Sequence, residues 1–167
     1  DRCGTGTAGG SVLAATRCES GALADVDVRV VFVACGCLHT VAVTSDGGVI
    51  VFGYNFHGQL GTGNTYHQPV PERLACAALV GVRIVGCAAG ANFTHLVSDV
   101  GRVFATGANH SGQLGTGDTT NVNTPTAIDA AHFGGTPVAA VACGCDHTMA
   151  ITRGEGKLYC WGEGAYG

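Results

Sequence analysis

The chain has 167 residues, of which 46% are hydrophobic and 12% charged, half the usual charged share of roughly 25%. Eight Lys and Arg and a formal net charge of −4 exclude a surface built to neutralise nucleic-acid phosphates. No apolar run approaches the roughly 18 residues of a membrane-spanning helix, so no membrane role is expected.

Residues 1–29 open with Cys3-Gly4-Thr5-Gly6 and continue as a loop rich in Gly, Ala and Ser, with Val12-Leu13 the one strand signal before Asp25. Val30 to Ala34 is a β-branched run that predicts a buried strand. Thr40 to Thr44 and Val49 to Phe52 flank Ser45-Asp46-Gly47-Gly48, a hairpin signal, because Asp-Gly supplies the positive φ of a tight turn. A glycine-spaced loop, Gly53 to Gly63, leads to a connector holding Pro69 and Pro71, and Leu74 to Leu79 is at most one helical turn. The same order then returns: Val82 to Val85, Thr94 to Ser98 and Arg102 to Thr106 as strands, a loop from Asn109 to Gly117, and a connector with Pro125. Val138 to Ala142, Thr148 to Thr152 and Leu158 to Trp161 complete the strands, with Gly154 and Gly156 in the last turn.

This order is a repeat. Gly58-Gln59-Leu60-Gly61-Thr62-Gly63 recurs letter for letter at 112–117, and Gly36, Gly53 and Asn55 recur as Gly90, Gly107 and Asn109, all 54 residues on. Gly144 and Gly162 mark a third copy, one residue longer in its turn. The divisions are 1–29, the tail of a preceding repeat; 30–83; 84–137; and 138–167. Cys3 to Gly6 reads as a degraded Leu60 to Gly63, and Gly167 aligns with Gly58 and Gly112, so a piece of a longer repeat protein is expected. A unit of three or four short strands buries its apolar faces only against its neighbours. Radial repetition of four-stranded blades, an all-β propeller, answers that need better than a parallel β-helix, whose repeats are shorter.

The pattern Ala34-Cys35-Gly36, His39-Thr40, Asp46-Gly47, Phe52-Gly53, Asn55 and Gly58 to Gly61 resembles the regulator of chromosome condensation repeat, as does Ala142-Cys143-Gly144 with His147-Thr148 and Trp161-Gly162. The resemblance covers nearly all of residues 30–167. It implies a seven-bladed β-propeller of which about three blades of antiparallel sheet are present. It also implies a protein-binding platform, with guanine-nucleotide exchange on a Ran-like small GTPase as the specific version. A substrate-recruiting part of a ubiquitin ligase and a secreted binding or inhibitory protein are the alternatives. The partners implied are a protein and the remaining blades of the same chain; the compartment expected is cytoplasm or nucleus. Departures are Phe93 in place of the histidine and Thr106 at the tryptophan position. Cys37-Leu38, Ala91-Asn92 and Cys145-Asp146 precede the His-Thr sites, where the family's plant photoreceptor has Trp-Arg, and Trp161 is the single tryptophan, so light sensing is not expected.

Cys35-x-Cys37-x-His39 and Cys143-x-Cys145-x-His147 put soft ligands at alternate positions, but a fourth ligand and the C-x₂₋₄-C spacing are missing, so no metal is expected. Cysteine exchanging with Ala89 and Ala91 at equivalent positions indicates small buried residues and reduced thiols. No triad partner recurs beside His39 or His147, and Gly-Gln-Leu-Gly-Thr-Gly lacks a P-loop lysine, so no enzyme activity and no cofactor are expected. Asn92-Phe93-Thr94 and Asn109-His110-Ser111 fit the glycosylation pattern, which matters only in a secreted protein. Function in a propeller lies on its face loops. The expected partner-binding residues are therefore His39, Asn92, Asp146 and His147 from the G-x-x-H-T loops, with Leu38 and Phe93 beside them. Tyr54, Phe56, His57, His110 and Tyr166 come from the glycine loops. Gly36, Gly53, Gly58, Gly61, Gly90, Gly107, Gly112, Gly115, Gly144 and Gly162 are expected to be structural.

Overall fold

Runs that are apolar at every position need cover on both faces, and the fold supplies it by stacking sheet on sheet. The structure is a computed structural model that describes residues 14–25 and 27–165; the Val12-Leu13 strand, the Cys3 to Gly6 copy, Tyr166 and Gly167 lie outside them. The first sheet has the order β1 (Val30–Cys35), β2 (His39–Thr44), β3 (Val49–Gly53), β4 (Gln68–Arg73). The second follows as β5 (Ile84–Ala89), β6 (Phe93–Ser98), β7 (Val103–Gly107), β8 (Val122–Ala127). The third has β9 (Val138–Cys143), β10 (His147–Thr152) and β11 (Leu158–Gly162). All pairings are antiparallel, and the register repeats: Thr40 faces Phe52, Thr94 faces Thr106, and Thr148 faces Trp161. These are all-β propeller blades.

The fourth strands, β4 and β8, run through what the sequence presents as connectors. Pro69, Pro71 and Pro125 hide them from a propensity reading. An outermost strand is hydrogen-bonded on one side only, so it tolerates residues that cannot donate. A 3₁₀ turn forms at Ala77–Leu79, inside the segment expected to be helical at most, and two equivalent turns form at Gly21–Leu23 and Ala130–Phe133.

Alternation along the strands builds two seams. Val41, Val43 and Val51 of the first blade meet Ile84, Cys87 and Leu96 of the second. Phe93, Val103 and Leu114 of the second meet Val138 and Ala150 of the third, with Trp161 against them. Among the described residues, the opposite face of the first blade, Ala42, Ile50 and Phe52, packs against Ala22, Leu23 and Val28.

The outer faces of the stack correct one expectation. β1 is not buried: Phe32 is 48% and Val33 58% exposed. Its equivalent β5 buries Ile84, Cys87 and Ala88, because β5 has a blade on each side. Met149, Ile151 and Leu158 are exposed for the same reason at the other end. Two hollows of about 600 Å³ and about 590 Å³ are these two uncovered blade ends, not ligand cavities. The chain studied by itself should therefore associate. Light scattering at micromolar concentration is expected to give oligomers, and a monodisperse monomer with one sharp urea transition would show that the uncovered faces are tolerated.

Candidate functional site

The turn between the first and second strands and the segment after the third strand of each blade emerge side by side at one end of the strands. The amides of Tyr54, Ala108 and Glu163 donate to the carbonyls of Leu38, Asn92 and Asp146 at 2.8, 2.9 and 2.8 Å. This common edge is the loop face, and it gathers most of the expected site residues.

Its loops are folded around one buried side chain each. Asn55 and Asn109 are fully buried. The Asn109 amide donates to Thr116 Oγ1, Asp118 O, Asp118 Oδ1 and Thr120 O at 3.0–3.2 Å, and its Oδ1 accepts from the Leu114 amide at 2.9 Å. Asn55 does the same with Thr62, Asn64, Tyr66 and Leu60. A segment without regular structure is thereby given hydrogen-bond partners that a helix or sheet would otherwise supply. The side-chain amide of Asn109 is committed to these bonds, so the Asn109-His110-Ser111 triplet offers no acceptor in the folded chain.

Each loop then enters the next blade. Gln59 and Gln113 are fully buried. Thr94 Oγ1 donates to Gln59 O at 2.8 Å, and Thr148 Oγ1 donates to Gln113 O at 3.0 Å. The side chains repeat as well: Gln59 Nε2 donates to Asn92 Oδ1 at 3.3 Å and Gln113 Nε2 to Asp146 Oδ1 at 3.4 Å. Trp161 Nε1 adds a bond to Gln113 O at 2.9 Å, where Thr106 Oγ1 bonds Gly58 O at 2.8 Å. Further out, the Gly63 amide donates to Asn123 O and Asn123 Nδ2 donates to Gly63 O, joining the first loop to the start of β8.

The glycines serve this approach. A β-carbon at Gly115 would lie 2.7 Å from Trp161 Nε1, and one at Gly58 would lie 2.6 Å from Asn123 Cα. Gly61 faces Pro125, whereas a β-carbon at Gly112 would meet only Asp118 O, at 3.9 Å, among the described residues. Gly53, Gly107 and Gly162 have φ of 108, 116 and 106° where the preceding turn presses its backbone on them. At Gly36, Gly90 and Gly144 the rings of His39, Phe93 and His147 lie where a β-carbon would be.

That ring packing corrects the expected role of His39, while His147 stays exposed. His39 is 2% exposed and lies in the seam between blades, its Nε2 3.0 Å from Thr94 Oγ1. His147 has the same seat over Gly144 but points from the uncovered end of the stack. The side chain at this position heads into the blade stack and not onto the loop face, because it belongs to the second strand of its blade and pairs with Gly53 or Gly162. Phe93 likewise is fully buried. Asn92 and Asp146 are half-buried at the loop face. Asp146 also pushes the neighbouring Cys145 thiol up.

The glycine-loop residues do meet. Tyr54 stacks on His67 at 4.5 Å and on Phe56 at 6.3 Å, Phe56 meets His57 edge-on at 5.4 Å, and His57 reaches His110 across the seam at 6.0 Å. Phe56 is 64% exposed. A groove of about 330 Å³ runs beside this strip, between Phe56, His57 and Thr65 of one blade and Asn121 to Thr124 of the next. At the third blade, Glu163 Oε2 accepts from Ser111 Oγ at 2.8 Å. The loops 36–38, 54–67, 90–92, 108–121, 144–146 and 163–165 hold Asp118, Asp146 and Glu163 but no lysine or arginine. Sequence reasoning missed His67, Glu163 and the two glutamines. The glutamines had a signal, exact repetition 54 residues apart.

Among the described residues no group of three His, Cys, Asp or Glu is disposed to hold a metal. A thiol–imidazole pair, Cys143 Sγ and His95 Nδ1 at 3.7 Å, is in the seam, and burial pushes the thiol up to about 12 and the imidazole down to about 4. Those directions oppose thiolate formation. The cysteines also depart from expectation: Cys35, Cys37 and Cys145 are exposed, while Ala91, held between the backbones of Cys37 and Cys145, is buried.

The chain belongs to the regulator of chromosome condensation (RCC1) repeat family, whose repeat matches residues 46–97 and 100–151, with a second form of it at 30–59 and 138–167. It is 41% identical over 140 residues to the ultraviolet-B receptor UVR8 of Arabidopsis thaliana, covering 83% of this chain and 31% of that protein. The structure of human WBSCR16 superposes with a TM-score of 0.74 at 32% identity, over 84% of this chain and 34% of that one. Prp20p of Saccharomyces cerevisiae, described with its binding properties to Gsp1p and histones, superposes with a TM-score of 0.68 at 25% identity, over 80% and 33%. The chain thus spans about a third of the length of these relatives.

The buried loop side chains give a direct test. Asn109→Ala leaves the Leu114 amide and several carbonyl oxygens without partners, and should lower stability by about 2–4 kcal/mol in urea unfolding. Asn109→Asp, which turns a carboxylate toward four acceptors, should also lower the urea midpoint. Wild-type stability in both would refute the structural role of this side chain.

Proposed function

We propose that this chain is a protein-binding part of a propeller, acting in the cytoplasm or nucleus, and that its partner docks on the loop face. The observation that carries this is the strip Tyr54–Phe56–His57–His110, a continuous run of ring contacts crossing from one blade to the next beside Asn92 and Asp146. Aromatic side chains supply large contact area at low entropic cost, which suits the core of an interface. The strip rests on loops whose amides and carbonyls are already satisfied by Asn55, Asn109, Gln59 and Gln113, so little order has to be gained on binding.

The specific reading is nucleotide exchange on a Ran-like small GTPase. Its support is the likeness to Prp20p, described with its binding properties to Gsp1p, together with Asp146 on the loop face. Exchange requires no covalent step. A binding protein accelerates nucleotide release if it holds the GTPase more tightly without nucleotide than with it, since a ligand shifts an equilibrium only by its differential affinity. In this reading Asp146, with one oxygen held by Gln113, offers the other to a basic group of the GTPase, and Phe56 supplies apolar contact.

Release of a fluorescent GDP analogue from a Ran-type GTPase tests this with the full-length protein. Acceleration is expected, and Asp146→Ala should reduce it by tenfold or more if the carboxylate is desolvated in the complex. A release rate unaffected by the protein would remove the exchange reading and leave the binding platform; Phe56→Ala would still be expected to weaken capture of the true partner.

A further inference from the structure

Each of the two seams closes around one imidazole. In the first seam the Thr94 hydroxyl donates to Gln59 O at 2.8 Å, so its oxygen is free to accept, and it lies 3.0 Å from His39 Nε2. That pairing fixes the proton of His39 on Nε2. Its Nδ1 is buried and has no hydrogen-bond partner. In the second seam His95, which has no exposed surface, points Nε2 at Leu114 O at 3.3 Å and Nδ1 at Cys143 Sγ at 3.7 Å, with Phe93 and Trp161 edge-on at 5.6 and 5.8 Å. The leucine carbonyl takes the Nε2 proton, and the thiol is left to donate to Nδ1.

We propose that His39 and His95 make the blade seams acid-responsive: each seam closes around a neutral imidazole, and protonation of that imidazole opens it. His39 Nδ1 has no hydrogen bond to carry an added proton and only neutral backbone such as that of Phe93 beside the ring, and a proton added to His95 Nδ1 would displace the bond from Cys143. The groups facing His39 are the Gly36 turn, the Phe93 backbone and the Thr94 hydroxyl; those facing His95 are Phe93, Leu114 O, Cys143 and Trp161. None is charged, since burial keeps the Cys143 thiol protonated, so neither imidazolium gains a counter-ion. Unpaired charge in such a site is costly.

Burial lowers both imidazoles to about 4. A group held neutral in this way favours the closed seam fully above its unfolded pKa of about 6.5, and the contribution is lost as the pH falls from there to about 4. At pH 4 each imidazole should raise the opening constant by on the order of 10²-fold. Among the described residues the carboxylate with a strong downward displacement is Asp46, held at about 2 by Thr44, Gly48 and Arg73, and it has no part in this window.

The chain itself shows that packing does not demand histidine at these points. Phe93 occupies the His39 position of the second repeat, and Val41 and Met149 occupy the His95 position of the first and third. His39→Phe and His95→Val therefore keep residues that a seam already accepts, since Phe93 and Val41 are buried between blades. In the full-length protein, the urea midpoint of wild type should fall between pH 6.5 and 4, and the double variant should lose that slope. In parallel, ring-carbon NMR of ¹³C-labelled histidine should show His39 and His95 neutral down to about pH 4. Titration of both rings near 6.5 in the folded protein, or an unchanged slope in the double variant, overturns the proposal. Should the double variant fail to fold, the NMR titration alone decides.

Discussion

The structure depends on a loop of one blade being built into the next. A three- or four-stranded sheet of these short runs has two apolar faces and no core of its own. The Gly-Gln-Leu-Gly loop closes that gap twice over. Leu60 and Leu114 fill the seam, and the backbone carbonyl of the preceding glutamine takes a threonine hydroxyl from the neighbouring blade. Because the carbonyl is buried, it needs that partner, and because the threonine sits in the second strand of the next blade, the bond fixes the height of one blade against another. The glycines follow from this constraint. They stand where the neighbour's Trp161, Asn123 or Pro125 comes within contact distance.

Much of this was legible in the sequence. The 54-residue spacing, the Asp-Gly turn and the alternating apolar runs led to the blades and to their family. Three things were not legible, each for a physical reason. β4 and β8 contain prolines, which count against a strand unless its free edge is known beforehand. β1 reads as buried because its residues are those of a seam, yet exposure is set by the neighbour and not by the strand. His39 and His147 read as loop residues because a G-x-x-H-T string ends a turn, but the side chain belongs to the following strand and points along the stack.

The candidate face was legible in part. Tyr54, Phe56, His57 and His110 are separated in sequence, and only the close approach of two equivalent loops joins them. The same approach uses Asn92 and Asp146 as acceptors for the buried glutamines, so these two residues sit where scaffold and surface meet. The loop face therefore inherits its shape from the seams.

The central claim is that the glycine loops are part of the core. Native-state hydrogen exchange of the Leu60 and Leu114 amides, both donated to buried asparagine oxygens, tests it most directly. These loop amides are expected to exchange with the same opening free energy as the central strand amides of β6, through one cooperative event. Exchange of Leu60 and Leu114 orders of magnitude faster than β6, at rates typical of surface loops, would contradict it.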